Sequence, residues 1–199
     1  MTRIAIFIML VLISINAAFI IYAYKLEDEI KDINLPNVNG KMVSLQDYPK
    51  AKGFIIVFTC NHCPYAKAYE ERIIQLNEKY ASTYPVIAIN SNDGIAFPED
   101  NFDAMKKRAS QKKYRFVYLH DESQAVARIF GAAKTPHVYL IHKEQDKNVI
   151  KYVGAIDDNY SDESAVKKRY VEEAIAALDK GQEVTVKETK AIGCSIKWK

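Results

Sequence analysis

Cysteine is scarce in this chain, and neither sign of charge is in large excess. Three cysteines among 199 residues are too few for a disulfide scaffold, and one catalytic pair with one extra thiol fits the count better. The net charge is only +3, with both signs interspersed, so a nucleic-acid-binding surface is not expected. No internal repeat or low-complexity tract is present. The composition, 49% hydrophobic and 27% charged, predicts one globular domain with accessory ends.

Long hydrophobic runs are also absent, except at the amino terminus. Residues 4–24 carry no charge and are long enough to cross a bilayer, which takes about 20 residues. No clean Ala-x-Ala site follows, so an uncleaved anchor is favoured over a signal peptide cleaved after Ala23. Because Arg3 precedes the run and no positive excess follows it, the positive-inside rule predicts a membrane-anchored domain on the extracytoplasmic, periplasmic side. The predicted organisation is a signal anchor or signal peptide at 1–24, a charged spacer at 25–31, the main domain at 32–181 and a carboxy-terminal tail at 182–199.

The most informative motif is the Cys-x-x-Cys formed by Cys60 and Cys63. It directly follows an apolar strand pattern at 54–59 and directly precedes a helical pattern at 64–80. The first turn of a helix offers unpaired N–H groups and the positive end of the macrodipole, which favours a thiolate at Cys60. A thiolate is the nucleophile in disulfide exchange, and Cys63 is placed to resolve the mixed disulfide. The motif therefore predicts a thiol redox centre.

Two other roles for the pair are open, a structural disulfide and half of a zinc site. No second ligand pair at zinc spacing is present, and the strand-to-helix context favours redox chemistry, so no metal or other cofactor is predicted. A soft metal such as copper, bound by Cys60, Cys63 and His137, is a further alternative, because His137 directly follows Pro136.

Patterns along the rest of the chain predict an α/β domain. Short strands at 33–35 and 42–45 flank Asn39-Gly40, the dipeptide favoured in type I′ turns, and predict a hairpin. A strand at 86–90 completes a parallel βαβ unit with the strand and helix around the cysteine pair. The other expected elements are helices at 100–112, 124–130 and 164–178, a strand at 116–119, and a hairpin of strands at 137–141 and 149–153.

This order of elements resembles the thioredoxin superfamily over residues 34–178: a Cys-x-x-Cys after a strand, a βαβ unit, then Thr135-Pro136 opening a hairpin before a final helix. The helix and strand insertion between Asn90 and Thr135 is similar to that of membrane-tethered thiol-disulfide oxidoreductases and of the peroxiredoxin-like, redoxin branch. The resemblance implies a central mixed sheet flanked by helices, with an amino-terminal hairpin and an αβ insertion before the cis-proline strand.

The resemblance also implies roles for single residues. Cys60 is the attacking thiol and Cys63 the resolving thiol. Pro136 matches the cis-proline that faces the pair, although an ordinary proline at the start of a strand is the alternative. Thr135 is expected to offer its backbone to a bound substrate strand.

Two departures from thioredoxins proper affect this reading. Thr59 stands where they carry tryptophan, and Phe54 stands where they carry a buried acid, so the group that deprotonates Cys63 is open. His62, with Asn61, is assigned to redox tuning, because a histidine between the cysteines can stabilise the Cys60 thiolate and make the centre more oxidising.

Cys194 lies far along the chain from the pair. It can be a third redox thiol, an intermolecular link, or a buried residue that acts as a small apolar side chain.

The sequence therefore predicts a thiol-disulfide oxidoreductase that exchanges disulfides with protein substrates and with an electron donor or acceptor, in either direction. A peroxiredoxin-like thiol peroxidase is the first alternative, although neither cysteine of the pair is preceded by the Pro-x-x-x-Thr-x-x-Cys pattern of that chemistry. A metal-delivery or binding module on the same fold is the second alternative.

Overall fold

The structure, a computed structural model, describes residues 23–199. The membrane segment predicted at residues 4–24 therefore lies outside the described residues, apart from Ala23 and Tyr24. Among residues 23–199, no helix is both long enough and apolar enough to cross a membrane.

The described part of the chain contains both strands and helices. The strands are β1 (Asn34–Pro36), β2 (Met42–Ser44), β3 (Gly53–Phe58), β4 (Val86–Asn90), β5 (Val117–His120), β6 (Lys134–Thr135), β7 (His137–Glu144), β8 (Lys147–Gly154) and β9 (Cys194–Ser195). The α-helices are α1 (Pro64–Tyr80), α2 (Phe102–Gln111), α3 (Ala125–Phe130) and α4 (Tyr170–Asp179). Short 3-10 turns lie at Leu45–Asp47, Pro98–Asp100 and Glu163–Ala165.

Five of these strands form one mixed sheet in the order β5-β4-β3-β7-β8. β3, β4 and β5 are parallel, whereas β7 runs antiparallel to β3 and β8 runs antiparallel to β7. α1 connects the parallel strands β3 and β4, which confirms the predicted βαβ unit. The protein thus has the predicted α/β fold, a central mixed sheet flanked by helices.

The core is built on both faces of β3. All six of its residues, Gly53–Phe58, are buried. Because side chains alternate along a strand, Ile55 and Val57 pack in the layer that holds α1, α2 and α4, whereas Phe54 and Phe58 pack with α3 and the amino-terminal segment. The apolar run is therefore a strand covered on both faces, and this burial fixes the position of the loop that follows it.

The helix α1 has the predicted bounds. Tyr69, Ile73 and Leu76 recur at helical spacing and are buried against the sheet. Pro64 occupies the first turn, where a backbone N–H has no partner within the helix. The local sequence alone therefore determines where this helix begins and which face it buries.

The two predicted hairpins form, but the turn of the first differs in type from the prediction. A type I′ turn needs positive φ at both central residues, and of Asn39 and Gly40 only Gly40 has one, at 83°. The type I′ prediction for that turn is therefore wrong. Two successive positive φ angles occur instead between β7 and β8, at Gln145 (48°) and Asp146 (67°). The polar stretch at 143–148 predicts a turn at this place but not its type, because neither residue is the glycine that such a turn favours.

The final helix begins later than the sequence predicts. Instead of spanning 164–178, α4 starts at Tyr170, after the 3-10 turn at Glu163–Ala165. The carboxylate of Asp158 accepts a hydrogen bond of 2.9 Å from the backbone N–H of Lys167. This side-chain bond competes with helix formation in the intervening segment and delays the helix.

Both ends of the described chain pack on the domain. In the predicted spacer, Ile30 is buried and Glu29 forms a bridge with Val149 of β8. In the predicted tail, Val184 and Ile196 are buried, and β9 pairs with β6. The sequence pattern of the tail gives no sign of this packing, because β9 has only two residues.

Candidate active site

Both cysteines of the motif lie at the junction of β3 and α1. Cys63 is the N-cap residue of α1, and Cys60 lies in the short loop after β3. Cys60 is 6% exposed and Cys63 is fully buried, and both pack against Ala66 of the first helical turn. The positive end of the helix therefore acts on Cys63 more directly than on Cys60.

Thr135 contacts both sulfur atoms. Its Oγ1 lies 3.3 Å from Cys60 Sγ, and its carbonyl oxygen lies 3.2 Å from Cys63 Sγ. The peptide bond from Thr135 to Pro136 is cis, as the resemblance implies. The loop before β7 and the loop after β3, which are 72 or more residues apart in sequence, thus meet at one place.

Asp100, which no sequence pattern singles out as a site residue, has a side chain that is fully buried beside the pair. One oxygen accepts hydrogen bonds from the backbone N–H groups of Asn61 (2.7 Å) and His62 (3.3 Å). The other lies 2.5 Å from His62 Nδ1 and accepts a bond of 2.7 Å from Asn92. Asp100 supplies a buried acid from the insertion, whereas thioredoxins proper carry one on the preceding strand.

Asn61 and His62 are held in place by this carboxylate and its neighbours. The side-chain N–H of Asn61 donates to the carbonyl of Glu99 (2.8 Å), and its oxygen accepts from the Tyr118 hydroxyl (3.0 Å). The imidazole of His62 stacks on the ring of Phe97, with centroids 5.6 Å apart. The residues between the cysteines therefore join the loop to the insertion.

The two thiols of the pair influence each other's pKa. The hydrogen bond to Cys63, burial and the negative charge of Asp100 raise the pKa of Cys60. The hydrogen bond from Cys60 lowers the pKa of Cys63 to about 4, and donors on Ala66 and Cys194 add to the effect. The titrations of the two thiols are therefore coupled, and the neighbours that act on them are Asp100, Thr135, Ala66 and Cys194.

Cys194 is the third member of this thiol cluster. It lies on β9, directly opposite Thr135 in the β6–β9 pairing, and packs against Cys60 and Cys63. It is partly exposed, and burial raises the pKa of its thiol to about 11. Its backbone N–H and its thiol both donate to the sulfur of Cys63.

Metal-ligating side chains also meet here. Cys60, His62 and Asp100 each offer one donor atom, and these atoms lie within 4.8 Å of one another. Sulfur, nitrogen and oxygen donors together suit zinc. His137 is not part of this group, because its ring packs against Tyr139, with centroids 4.8 Å apart. The structure does not unite His137 with the pair in the copper site considered from sequence.

The mixed sheet and the position of the cysteine pair at a strand-to-helix junction define the class of protein, a thioredoxin-like redoxin. The sequence profile of the AhpC/TSA family matches residues 26–153, and the chain belongs to this family. Among curated proteins, none matches the chain significantly.

Solved structures show the same fold. An uncharacterized conserved protein from Geobacillus kaustophilus is 36% identical, with a TM-score of 0.80 over 88% of this chain and 93% of that one. A hypothetical protein from Sinorhizobium meliloti 1021 is 31% identical, with a TM-score of 0.81 over 89% of this chain and 96% of that one. The exposed lipoprotein thioredoxin of Streptococcus pneumoniae strain TIGR4 is 19% identical, with a TM-score of 0.53 over 65% of this chain and 93% of that one, and shares the fold alone.

Proposed function

We propose that the protein is a thiol-disulfide oxidoreductase that exchanges disulfides with protein substrates through Cys60 and Cys63. The observation that carries this proposal is the convergence of both sulfurs on Thr135, at 3.3 Å and 3.2 Å, beside the start of α1. A buried and a more accessible thiol at a helix end are the parts that a two-step exchange needs. The family match supports redox chemistry of thiols in general.

The first step is attack by Cys60 on a substrate disulfide. Cys60 is the more exposed of the two thiols and attacks as its thiolate, with its proton released to solvent. A bond forms between Cys60 and one substrate sulfur, and the other substrate sulfur leaves as a thiolate. Cys63 stays a thiol in this step and donates a hydrogen bond to the carbonyl of Thr135.

The second step is attack by Cys63 on the sulfur of Cys60. The Cys60–Cys63 disulfide forms, the bond to the substrate breaks, and the departing thiolate takes the proton of Cys63. Two electrons have then passed from the pair to the substrate. The reverse sequence oxidises a substrate dithiol, and the reduction potential of the pair decides the direction.

Peroxidase activity is the second candidate, and the AhpC/TSA match favours it. A peroxidase needs a reactive thiolate that is oxidised to a sulfenic acid. Neither cysteine of the pair is preceded by the Pro-x-x-x-Thr-x-x-Cys pattern of that chemistry, so this activity ranks below disulfide exchange. Rapid, saturable formation of sulfenic acid at Cys60 on addition of hydrogen peroxide would reverse that ranking.

The proposal extends to the location of the protein. The uncharged run at residues 4–24 and the placement of Arg3 support a membrane anchor with the redox domain on the extracytoplasmic side. Protease treatment of intact cells and of opened cells tests this part. Digestion of the domain only after the cytoplasm is opened would refute it.

The test of the activity uses the full chain, insulin as the disulfide substrate, and two matched serine variants. The variant Cys63→Ser should accumulate a mixed disulfide with insulin at Cys60, because the resolving thiol is gone. The variant Cys60→Ser should accumulate none and should not reduce insulin. Mixed disulfides are separated on non-reducing gels and located by mass spectrometry.

The reduction potential of the pair, from equilibration with glutathione, completes the test. A reversible Cys60–Cys63 disulfide with a potential between about −270 and −120 mV is expected, the span between reducing and oxidising proteins of this fold. A pair that forms no reversible disulfide would refute the proposed function. Trapping of insulin at Cys63 in Cys60→Ser would refute the assigned order of attack.

A further inference from the structure

The local backbone structure holds Cys194 beside the cysteine pair. A Cβ atom added at Gly193 would lie 2.2 Å from the carbonyl oxygen of Thr135, so only glycine allows the backbones of β9 and β6 to approach this closely. The next residue along β9 is Cys194, which pairs with Thr135. Thr135, whose oxygen atoms contact Cys60 and Cys63, is therefore also the strand partner of Cys194.

The segment that carries Cys194 is fixed to the domain at several points. The backbone N–H of Ile196 donates to the carbonyl of Ala133 (3.1 Å), and Ile196 is buried. Farther along, Asn92 Oδ1 accepts a hydrogen bond from the N–H of Lys197 (2.9 Å), and Gln124 Nε2 donates to its carbonyl (2.8 Å). These bonds reduce the freedom of the strand and keep its thiol at the pair.

The strand β9 also takes the place that the resemblance gives to a substrate. Sequence comparison with thioredoxins implies that Thr135 pairs with a bound substrate strand, and in this structure Thr135 pairs with Cys194. A substrate cysteine on such a strand would lie beside the sulfurs of the pair, and Cys194 does so. Cys194 thus occupies the position that a cysteine of a bound substrate strand would occupy.

We infer that Cys194 is a third redox thiol that exchanges with Cys63, so that the oxidised protein holds either a Cys60–Cys63 or a Cys63–Cys194 disulfide. This inference rests on the proposed function, because the Cys60–Cys63 disulfide must form first.

The exchange is balanced within the three cysteines. Cys194 attacks the sulfur of Cys63, a Cys63–Cys194 bond forms, the Cys60–Cys63 bond breaks, and the proton of Cys194 passes to Cys60. No outside oxidant or reductant is needed, since one disulfide and one thiol are present before and after. The partly exposed sulfur of Cys194 then offers the thiolate of an electron donor a point of attack on this disulfide, while Cys60 returns to its thiol form.

The test is a disulfide map of the full chain. Trypsin cleaves after Lys52 and Lys67, which puts Cys60 and Cys63 on one peptide, and after Lys190 and Lys197, which puts Cys194 on another. A Cys63–Cys194 disulfide therefore links two peptides, whereas a Cys60–Cys63 disulfide links none. Samples equilibrated with glutathione are quenched in acid, alkylated, digested and analysed by mass spectrometry.

We expect the wild type to give linked peptides in which Cys60 alone is alkylated. In Cys60→Ser, linked peptides should exceed the glutathione adducts of Cys63 by about tenfold or more, because the neighbouring thiol has a high effective concentration. The matched control is the variant Cys60→Ser, Cys194→Ser, Ser195→Cys, which moves the thiol to the opposite side of β9 and should give no linked peptides.

The possible results separate the two proposals. Wild-type protein with a reversible Cys60–Cys63 disulfide and no linked peptides would overturn the inference and leave the proposed function standing. Linked peptides in equal yield from the moved-thiol control would also overturn it, since random collision would then explain the link. Failure of the Cys60–Cys63 disulfide to form would refute the proposed function. The wild-type measurement needs no substitution and stands even if a variant misfolds.

Discussion

The Nδ1 atom of His62 lies 2.5 Å from Oδ2 of Asp100, and the same carboxylate binds the backbone of the loop between the cysteines. A carboxylate only accepts hydrogen bonds, so the imidazole nitrogen is the donor. The imidazole of His62 thus binds the buried carboxylate of Asp100, and it acts on the thiols through the charge of that carboxylate. This relationship changes how the centre is expected to respond to substitution.

Substitution of Asp100 by asparagine should lower the pKa of Cys60. The change removes the negative charge that disfavours the Cys60 thiolate and keeps an oxygen that can accept from the backbone N–H of Asn61. The rate of Cys60 alkylation by iodoacetamide, followed against pH by mass spectrometry, should therefore rise at lower pH than in the wild type. The control is Asp103→Asn, at an exposed position of α2. An unchanged or upward-shifted pH profile in Asp100→Asn would contradict this account.

Substitution of His62 by alanine should make the pair more reducing. Without the imidazole, the charge of Asp100 is less compensated, the Cys60 thiolate is less stable, and the reduced form loses stability relative to the disulfide. The reduction potential should become more negative, by about 30 mV for each tenfold change in the equilibrium with glutathione. The effect should largely disappear in an Asp100→Asn background. If the potential falls equally in both backgrounds, His62 acts by another route.

His137 should make the stability of the fold depend on pH. Burial lowers its pKa to about 4 from an ordinary value near 6.5. The contribution of neutral His137 to the free energy of unfolding is therefore fully present above about pH 6.5. It is lost as the pH falls toward 4, by up to about 3 kcal/mol. Urea unfolding of wild type and His137→Phe between pH 4 and 7 measures the difference. Parallel curves for the two proteins would show that His137 does not titrate in this way.

Removal of one partner of the ion pair between Arg72 and Asp157 should strongly destabilise the fold. Their side chains are 5% and 1% exposed and lie 2.6 Å apart. Substitution of Asp157 by alanine leaves the guanidinium buried without its counter-ion and should cost about 3–5 kcal/mol in unfolding free energy. The exposed pair of Lys106 and Asp103 gives the comparison, since Asp103→Ala should cost less than about 1 kcal/mol. Similar losses in the two variants would be inconsistent with this assignment.

Substitution of Gly193 by alanine should separate Cys194 from the pair without removing its thiol. The new methyl group would collide with the carbonyl of Thr135 and push β9 away from β6. The yield of peptides joined by a Cys63–Cys194 disulfide should fall well below that of Ser195→Ala, a change at the exposed neighbouring position. Equal yields from the two variants would show that the close approach at Gly193 is not what holds the thiol in place.

The fold and the cysteine pair could be predicted because their signals are local. The buried strand β3 shows as an unbroken apolar run, and α1 shows as apolar residues at helical spacing with Pro64 in the first turn. The bounds of α1 were correct for this reason. The start of α4 was wrong because Asp158 binds the backbone of Lys167, an interaction that periodicity does not reveal.

The surroundings of the pair could not be predicted, because they depend on contacts between distant parts of the chain. Asp100 lies 38 residues from His62 and looked like the first residue of a helix. Cys194 lies on a strand of two residues, too short for any alternation of polar and apolar side chains to show. The influence of these two neighbours on the Cys60 and Cys63 thiols is likewise not visible in the motif.

The strand β9 sets a limit on the shape of molecules that can reach the pair. A backbone edge pairs with one strand at a time, so an extended polypeptide cannot pair with Thr135 on the sulfur side while Cys194 does. A compact disulfide such as oxidised glutathione needs no such edge and has only to reach the sulfur of Cys60. The carboxy-terminal strand therefore excludes only those polypeptides that need to pair with Thr135 as a strand, and protein disulfides that reach Cys60 without such pairing remain substrates.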